Sequence, residues 1–251
     1  MDRRDFLLQG CPVAAARGLE FGPLFNPIVG KLDGPVFYVD YTDTESLRRK
    51  SASDPNVKLD AFVEIDYSLA DGPLSRICAP TAPYGYVVAS HVFEHLPNPL
   101  GWLRELASMM QPGGIVALAV PDRRHTYDFF RAETTLAQLL AYDLDRLQAP
   151  STPQLADHFL NVRIVDSVAS WERPPALATA PRYHPDEQAL FILGQALGGQ
   201  YIDCHCTVWT EPQFAELLPR AASLRGLPFS ILRIHAPVRG SNEFIVQLQR
   251  D

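Results

Sequence analysis

Four cysteines in 251 residues, Cys11, Cys78, Cys204 and Cys206, are too few for a disulfide ladder in a chain this long. Cys204-His205-Cys206 has no second ligand pair at similar spacing, so buried, reduced thiols are expected there instead of a structural zinc site. Basic runs are scarce as well: none exceeds Arg48-Arg49-Lys50, and the formal net charge is −7. A phosphate backbone requires a basic face, so no nucleic-acid partner is expected. No apolar stretch approaches the ~18 residues that span a membrane, so no membrane association is expected. The opening MDRRDF has the look of a twin-arginine signal. However, Leu7-Leu8 is cut at once by Gln9, Gly10 and Pro12, so the segment reads as a short amphipathic lead-in and a cytoplasmic protein is expected. The dinucleotide fingerprint Gly-x-Gly-x-x-Gly is also missing.

Proline is in excess, 22 of 251 residues, about 9% against a usual ~5%. The first 120 residues alternate strand-like with helix-like segments. Short apolar runs at 17–21, 36–40, 61–66, 84–90 and 115–120 read as strands, the second and third ending on Asp40 and Asp66. Asn98-Pro99 caps and opens a helix with Leu100, Leu103, Leu106 and Met110 on one face, stopped by Gly113-Gly114. Buried strands separated by helices imply a parallel sheet covered on both faces, with ligands beyond the carboxyl ends of its strands. Near the C-terminus, Thr210-Glu211-Pro212-Gln213 reads as a capping box. Alternating strands at 229–234 and 243–248 follow, joined by a Pro/Gly/Asn turn as in a hairpin.

The stretch between these halves is too long for one crossover. It holds two helical patterns, 133–147 and 186–197, and six prolines from Pro150 to Pro185. The expected organisation is therefore a cofactor-binding half over 1–122, an inserted helical cap shaping the acceptor pocket over 123–209, and a helix with an antiparallel hairpin over 210–251 completing the same domain. The fold class is α/β: a Rossmann-like, doubly wound, seven-stranded sheet, mainly parallel with a C-terminal antiparallel hairpin.

Several of these pieces resemble class I S-adenosylmethionine-dependent methyltransferases. Gly18-Leu19-Glu20-Phe21-Gly22-Pro23-Leu24 resembles the family's first motif, with one glycine–proline pair where most members carry two or three glycines. Ser90-His91-Val92-Phe93-Glu94-His95-Leu96-Pro97-Asn98-Pro99 resembles the segment after strand four in the subgroup with a Glu-His-Leu-x-Asn-Pro element. Gln111-Pro112-Gly113-Gly114 resembles the turn into strand five. The resemblance implies S-adenosylmethionine as cofactor, with Asp40 on the ribose hydroxyls and Asp66, beside Tyr67, on the adenine amino group. Glu20, Gly22, Pro23, Ser90 and His91 complete the implied cofactor site. A carboxylate at a strand end suits ribose because it accepts both hydroxyls in charge-assisted bonds. A glycine after strand one lets the backbone approach the cofactor.

Methyl transfer to a hydroxyl benefits from a base near neutral pKa, which points to histidine. Of the seven histidines, His125, His158 and His205 are expected in the acceptor pocket, one of them as base. His91 should face the cofactor, and His95 suits helix packing equally well. Asp122, Asp157, His158, Asp203 and His205 have the composition of a divalent-metal set, but such pairs arise easily by chance and no metal is expected. The expected activity is O- or N-methylation of a small molecule or sugar. The rival reading, a non-catalytic scaffold with this fold, draws on the thin glycine motif and is opposed by Asp40 and Asp66.

Overall fold

The computed structural model describes residues 2–52, 55 and 57–251. Seven strands form one sheet: β1 (Gly18–Phe21), β2 (Val36–Asp40), β3 (Tyr67–Ser68), β4 (Tyr84–Ser90), β5 (Met110–Pro121), β6 (Phe229–His235) and β7 (Glu243–Arg250). Their order across the sheet is β3-β2-β1-β4-β5-β7-β6. The β1, β2, β3, β4 and β5 ladders are parallel, and β7 runs antiparallel between β5 and β6. The expected α/β sheet with its terminal hairpin is thus the observed one. Because β7 is reversed, its first residue, Glu243, lies opposite Pro121 at the last position of β5.

The central strands are buried on both faces, as a parallel sheet requires. On one face, α4 (Pro99–Met109) and α8 (Glu211–Leu224) bury Leu103, Leu106, Phe214 and Leu218 against Val87, Val116 and Leu118. Asn98 accepts the Gly101 amide at the start of α4. The other face is covered more thinly, by α1 (Arg3–Leu8) and the 22–35 loop, with Leu7 and Val29 packing on Tyr38, Tyr86 and Val88. Asp2 and Asp5 form a capping box at the start of α1. Its last carbonyls, from Leu7 and Gln9, accept from the wholly buried Gln247 of β7.

Gly18 shows how tightly β1 and β4 meet. A Cβ added there would stand 2.0 Å from the buried Tyr86 ring. Overpacking a rigid core ring costs roughly 1–3 kcal/mol. Gly18→Ala should therefore lower the urea midpoint with unchanged slope, and a wild-type midpoint would show that the strands can separate freely.

Three local expectations are corrected. The third strand is not 61–66: a 3-10 turn spans Leu59–Ala61, and only Tyr67–Ser68 pairs with β2. The 61–66 run crosses the sheet edge as a loop, tied by Val63 N–H to Leu24 and Asp66 N–H to Tyr38. Asp66 accordingly precedes β3 and does not end it. Thr210 does not make the capping box, since its hydroxyl donates to Glu133 and Gln213 donates to the Thr134 carbonyl, so tertiary partners replace local ones.

Residues 123–209 carry α5 (Leu136–Leu144), α6 (Thr152–Asn161) and α7 (Asp186–Leu197). Ser151 and Gln154 form the capping box of α6. Gln154 also donates to the Pro97 carbonyl, tying this segment to the loop after β4. Leu155, Phe159, Ala189, Cys204 and Cys206 make a small core of their own here.

Candidate active site

The carboxyl ends of β1, β2 and β4 meet along one edge. Gly22, at φ +63°, donates its N–H to Val39, bringing the turn after β1 beside the end of β2. A Cβ there would sit 2.9 Å from Val92, so the left-handed backbone and the close approach both call for glycine. Glu20 accepts from the Ile28 and Val29 amides at 2.6 and 2.8 Å, so its carboxylate holds the 22–35 loop in place. Burial raises Glu20 to about 7 despite those two amides. Pro23 is buried beside it.

Asp40 is buried, and one oxygen accepts from the Tyr41 amide while Oδ2 has no partner among the described residues. Burial raises it to about 6, against the pull of the Tyr41 amide and Lys50. A buried acceptor of this kind calls for a donor, and a ribose hydroxyl pair supplies donors. Together with the Gly22 turn, this arrangement fits S-adenosylmethionine. Asp66 differs: its Oδ2 is occupied by Lys31 Nζ at 2.6 Å and the Tyr38 amide at 2.7 Å. Tyr67 stacks obliquely on Phe37 and shares a hydrogen bond with Thr81, and Ser90 accepts from Arg3.

Beyond β4 and β5 opens a cleft of about 350 Å³, lined by His91, Glu94, His95, Tyr127, Tyr183 and His205 among others. His91 has φ +53°, a conformation that side chains rarely adopt and that marks functional sites in many proteins. Its Nε2 lies 2.7 Å from Glu243 Oε2, itself held by Arg3. Burial would lower His91, but the hydrogen bond to Glu243 prevails and carries it up to about 9. A 3-10 turn over Phe93–His95 follows. It points Glu94, 1% exposed, into the cleft with neither carboxylate oxygen partnered among the described residues. Burial opposes ionisation of Glu94, yet His91, His205 and His95 around it hold it below the usual carboxylate range. His91 Nδ1 stands 3.6 Å from Glu94 Oε1, beyond hydrogen-bond reach, so that attraction is coulombic.

His205 reaches the cleft from the far end of the inserted segment. Its Nδ1 lies 2.6 Å from Asp128 Oδ2, and the Tyr127 hydroxyl is 2.5 Å from its Nε2. Asp128 is in turn bound by the buried Arg131, which also holds Asp157 and the His205 carbonyl. Burial works against the Asp128 charge, but His205 and Arg131 bring it down to about 2.

Of the three histidines expected in the pocket, the structure brings His205 to the cleft and leaves two outside it. His125 is stacked on Trp171, centroids 4.0 Å apart, with Nδ1 bound to Ser170. His158 is buried behind His205, where its Nδ1 meets the His205 amide and Arg131. Burial and the Arg131 charge push His158 down to about 3, so it stays neutral. The set Asp122, Asp157, His158, Asp203 and His205 is not assembled either: Asp122 is bound by Arg124 and Asp157 by Arg131. Sequence reasoning missed Glu94, Tyr127 and Asp128. Glu94 sat inside the Ser90–Pro99 element, where only its place in a pattern was visible.

A sheet of this order, with an unpartnered carboxylate ending β2 and a polar cleft beyond β4, defines a class I methyltransferase. A family model described as a methyltransferase domain matches residues 14–161. That is more than half of the chain, and the chain belongs to this family. It is a transferase, and S-adenosylmethionine is the methyl donor that membership implies. A comparison with curated proteins finds no match. Among solved structures, a protein described as a zinc-dependent alcohol dehydrogenase from Rhodobacter sphaeroides is 14% identical, covering 100% of this chain and 90% of its own, with a TM-score of 0.53. That likeness is one of fold alone. The CcbJ methyltransferase from Streptomyces caelestis is 13% identical over 99% of this chain and 94% of its own, TM-score 0.48. An S-adenosylmethionine-dependent methyltransferase from Mesorhizobium loti is 13% identical over 97% and 95%, TM-score 0.47. No described helix is long and apolar enough to cross a membrane.

Proposed function

We propose that the chain transfers a methyl group from S-adenosylmethionine to a hydroxyl of a small molecule or sugar bound in the cleft beyond β4 and β5. The observation that supports this best is the convergence of His91, Glu94, His95 and His205 on the cleft beyond β4 and β5. Asp203 links the two regions, since it hydrogen-bonds His95 and adds its negative charge to the surroundings of Asp40. Bound there, the cofactor supplies an electrophilic methyl on a sulfonium. The protein then has to align the acceptor and give its proton a destination.

In this reading Asp40 takes the ribose hydroxyls, and the Gly22–Pro23 turn and His91 border the rest of the cofactor. Glu20 and Asp66 act by fixing the 22–35 loop and the β2 edge, because their carboxylates are already engaged. Residues 123–209 supply Tyr127, Tyr183 and His205 to the cleft and so shape the acceptor.

The test is transfer of a radiolabelled methyl group to a panel of hydroxylated small molecules and sugars, with amines in parallel. Label should move to a hydroxyl compound and fall at least about 100-fold in Glu94→Gln, the scale of a lost general-base contribution. Transfer to amines alone would overturn the O-methylation reading.

A further inference from the structure

The three imidazoles around Glu94 share one arrangement. Each is held on its outer nitrogen by a carboxylate: His91 Nε2 by Glu243 at 2.7 Å, His95 Nδ1 by Asp203 at 3.0 Å and His205 Nδ1 by Asp128 at 2.6 Å. In a neutral ring a carboxylate accepts the ring N–H, and the tautomer that follows leaves the other nitrogen as a lone pair. Those three nitrogens all face Glu94 Oε1: His91 Nδ1 at 3.6 Å, His95 Nε2 at 3.9 Å and His205 Nε2 at 3.9 Å. The Tyr127 hydroxyl lies 2.5 Å from His205 Nε2, so a cation taken by that nitrogen displaces this hydrogen bond. Three ring nitrogens thus converge on a carboxylate that is 1% exposed and has no hydrogen-bond partner among the described residues. No lysine or arginine among the described residues pairs with Glu94; its only ionic neighbours are these histidines.

Three donor groups this close together, Glu94, His95 and His205, suit a cation. Zinc-like ions bind imidazole and carboxylate at about 2.0–2.2 Å, which places neighbouring donors roughly 3–4 Å apart. His95 Nε2 and His205 Nε2 each stand 3.9 Å from Glu94 Oε1, within that range, and the donor atoms of Glu94, His95 and His205 are all within 4.8 Å of one another. A set of imidazoles with one carboxylate selects first-row transition ions over magnesium or calcium, which prefer oxygen. An outer carboxylate on each ligating ring is the usual second support of such a site.

We propose that Glu94, His95 and His205 bind one divalent first-row transition cation. Its role in catalysis rests on the methyltransferase reading; its binding does not. In that role the cation takes the acceptor oxygen and lowers its pKa. The hydroxyl proton passes to Glu94 Oε2, the oxygen not needed as ligand. The C–S bond of the sulfonium breaks as the O–C bond forms, and the electron pair stays on sulfur in S-adenosylhomocysteine. The Asp128–Arg131 pair behind His205 holds that ligand in register.

The experiment is titration of chelator-treated protein with Co²⁺ and with Zn²⁺, followed by calorimetry and, for Co²⁺, by visible absorption. One equivalent per chain is expected. Glu94→Gln and His95→Gln should weaken binding by more than the roughly 10–100-fold that an orienting carboxylate contributes, and Asp203→Asn by about 10-fold. His235→Gln, an imidazole on the edge strand β6, should bind as wild type. S-adenosylhomocysteine is titrated into each preparation as an independent reading of fold and cofactor site. Protein that binds this ligand but takes up no metal, or takes it equally in Glu94→Gln and His95→Gln, overturns the cation site. Metal uptake without binding of S-adenosylhomocysteine would support the site and overturn the methyltransferase reading instead.

Discussion

Asp40→Ala should weaken S-adenosylmethionine binding by at least about 100-fold, read by calorimetry on a variant shown to be folded. Each hydrogen bond to a buried charge contributes about 1.5–3 kcal/mol, and a ribose offers two donors. Their loss therefore costs about 3 kcal/mol or more, and each 1.4 kcal/mol is tenfold in affinity. The same residue makes the affinity pH-dependent, because its pKa is raised to about 6 by burial. The ionised form accepts the hydroxyls, so affinity should fall as the pH drops through 6, by up to about tenfold per unit. Asp40→Asn, which has no such charge to lose, should show a flat profile. In the free protein the sign is reversed. A raised carboxyl contributes stability that is full below its ordinary 3.8 and lost as the pH climbs through about 6. Undiminished binding by Asp40→Ala would place the ribose elsewhere on the sheet edge.

Arg131→Met should destabilise the protein by about 3–5 kcal/mol, the usual result of leaving a buried carboxylate without its partner. Arg131 is 1% exposed and Asp128 3% exposed at the side chain, and their ion pair is 2.7 Å long. The same guanidinium holds Asp157 of α6 and the His205 carbonyl, so one group joins the start of the inserted segment, its middle and its end. Removing the Asp128 charge as well, in Asp128→Asn with Arg131→Met, should recover part of the loss because no charge is then stranded. Urea unfolding measures both. A single-variant cost under about 1 kcal/mol, the scale of a surface pair, would mean that the apolar cluster of Leu155, Phe159 and Ala189 holds the segment without this network.

Much of the sheet was legible because its signals are local. Continuous apolar runs such as Tyr84–Ser90, the Asn98-Pro99 helix start and the alternation of 243–248 each depend on neighbours within a few residues. The third strand was misread because a run with Glu64 and Asp66 at alternate places looks like an edge strand. Whether such a run joins the ladder depends on its tertiary partners, and here Leu24 of the loop after β1 and Tyr38 of β2 each accept one separate hydrogen bond from it. The expectation for Asp66 failed to reach its consequence for the same reason: the amide of Tyr38 and the ammonium of Lys31 were not visible as its partners.

The histidines divide in the same way. That His91 follows a buried strand and faces the ligand edge can be read from position alone, because strand ends of a parallel sheet share one side. His125 has the same kind of position after β5, yet a tryptophan 46 residues later stacks on it and removes it from the cleft. The local pattern therefore determined most of the strands and which strand ends meet. Only the tertiary structure decided that Asp128, from just past β5, and Asp203 and His205, from the end of a long insertion, would turn the imidazoles toward Glu94. A strand pattern is set by side chains two residues apart on one chain, whereas a carboxylate's partners are whatever the closed fold brings within about 3 Å of it.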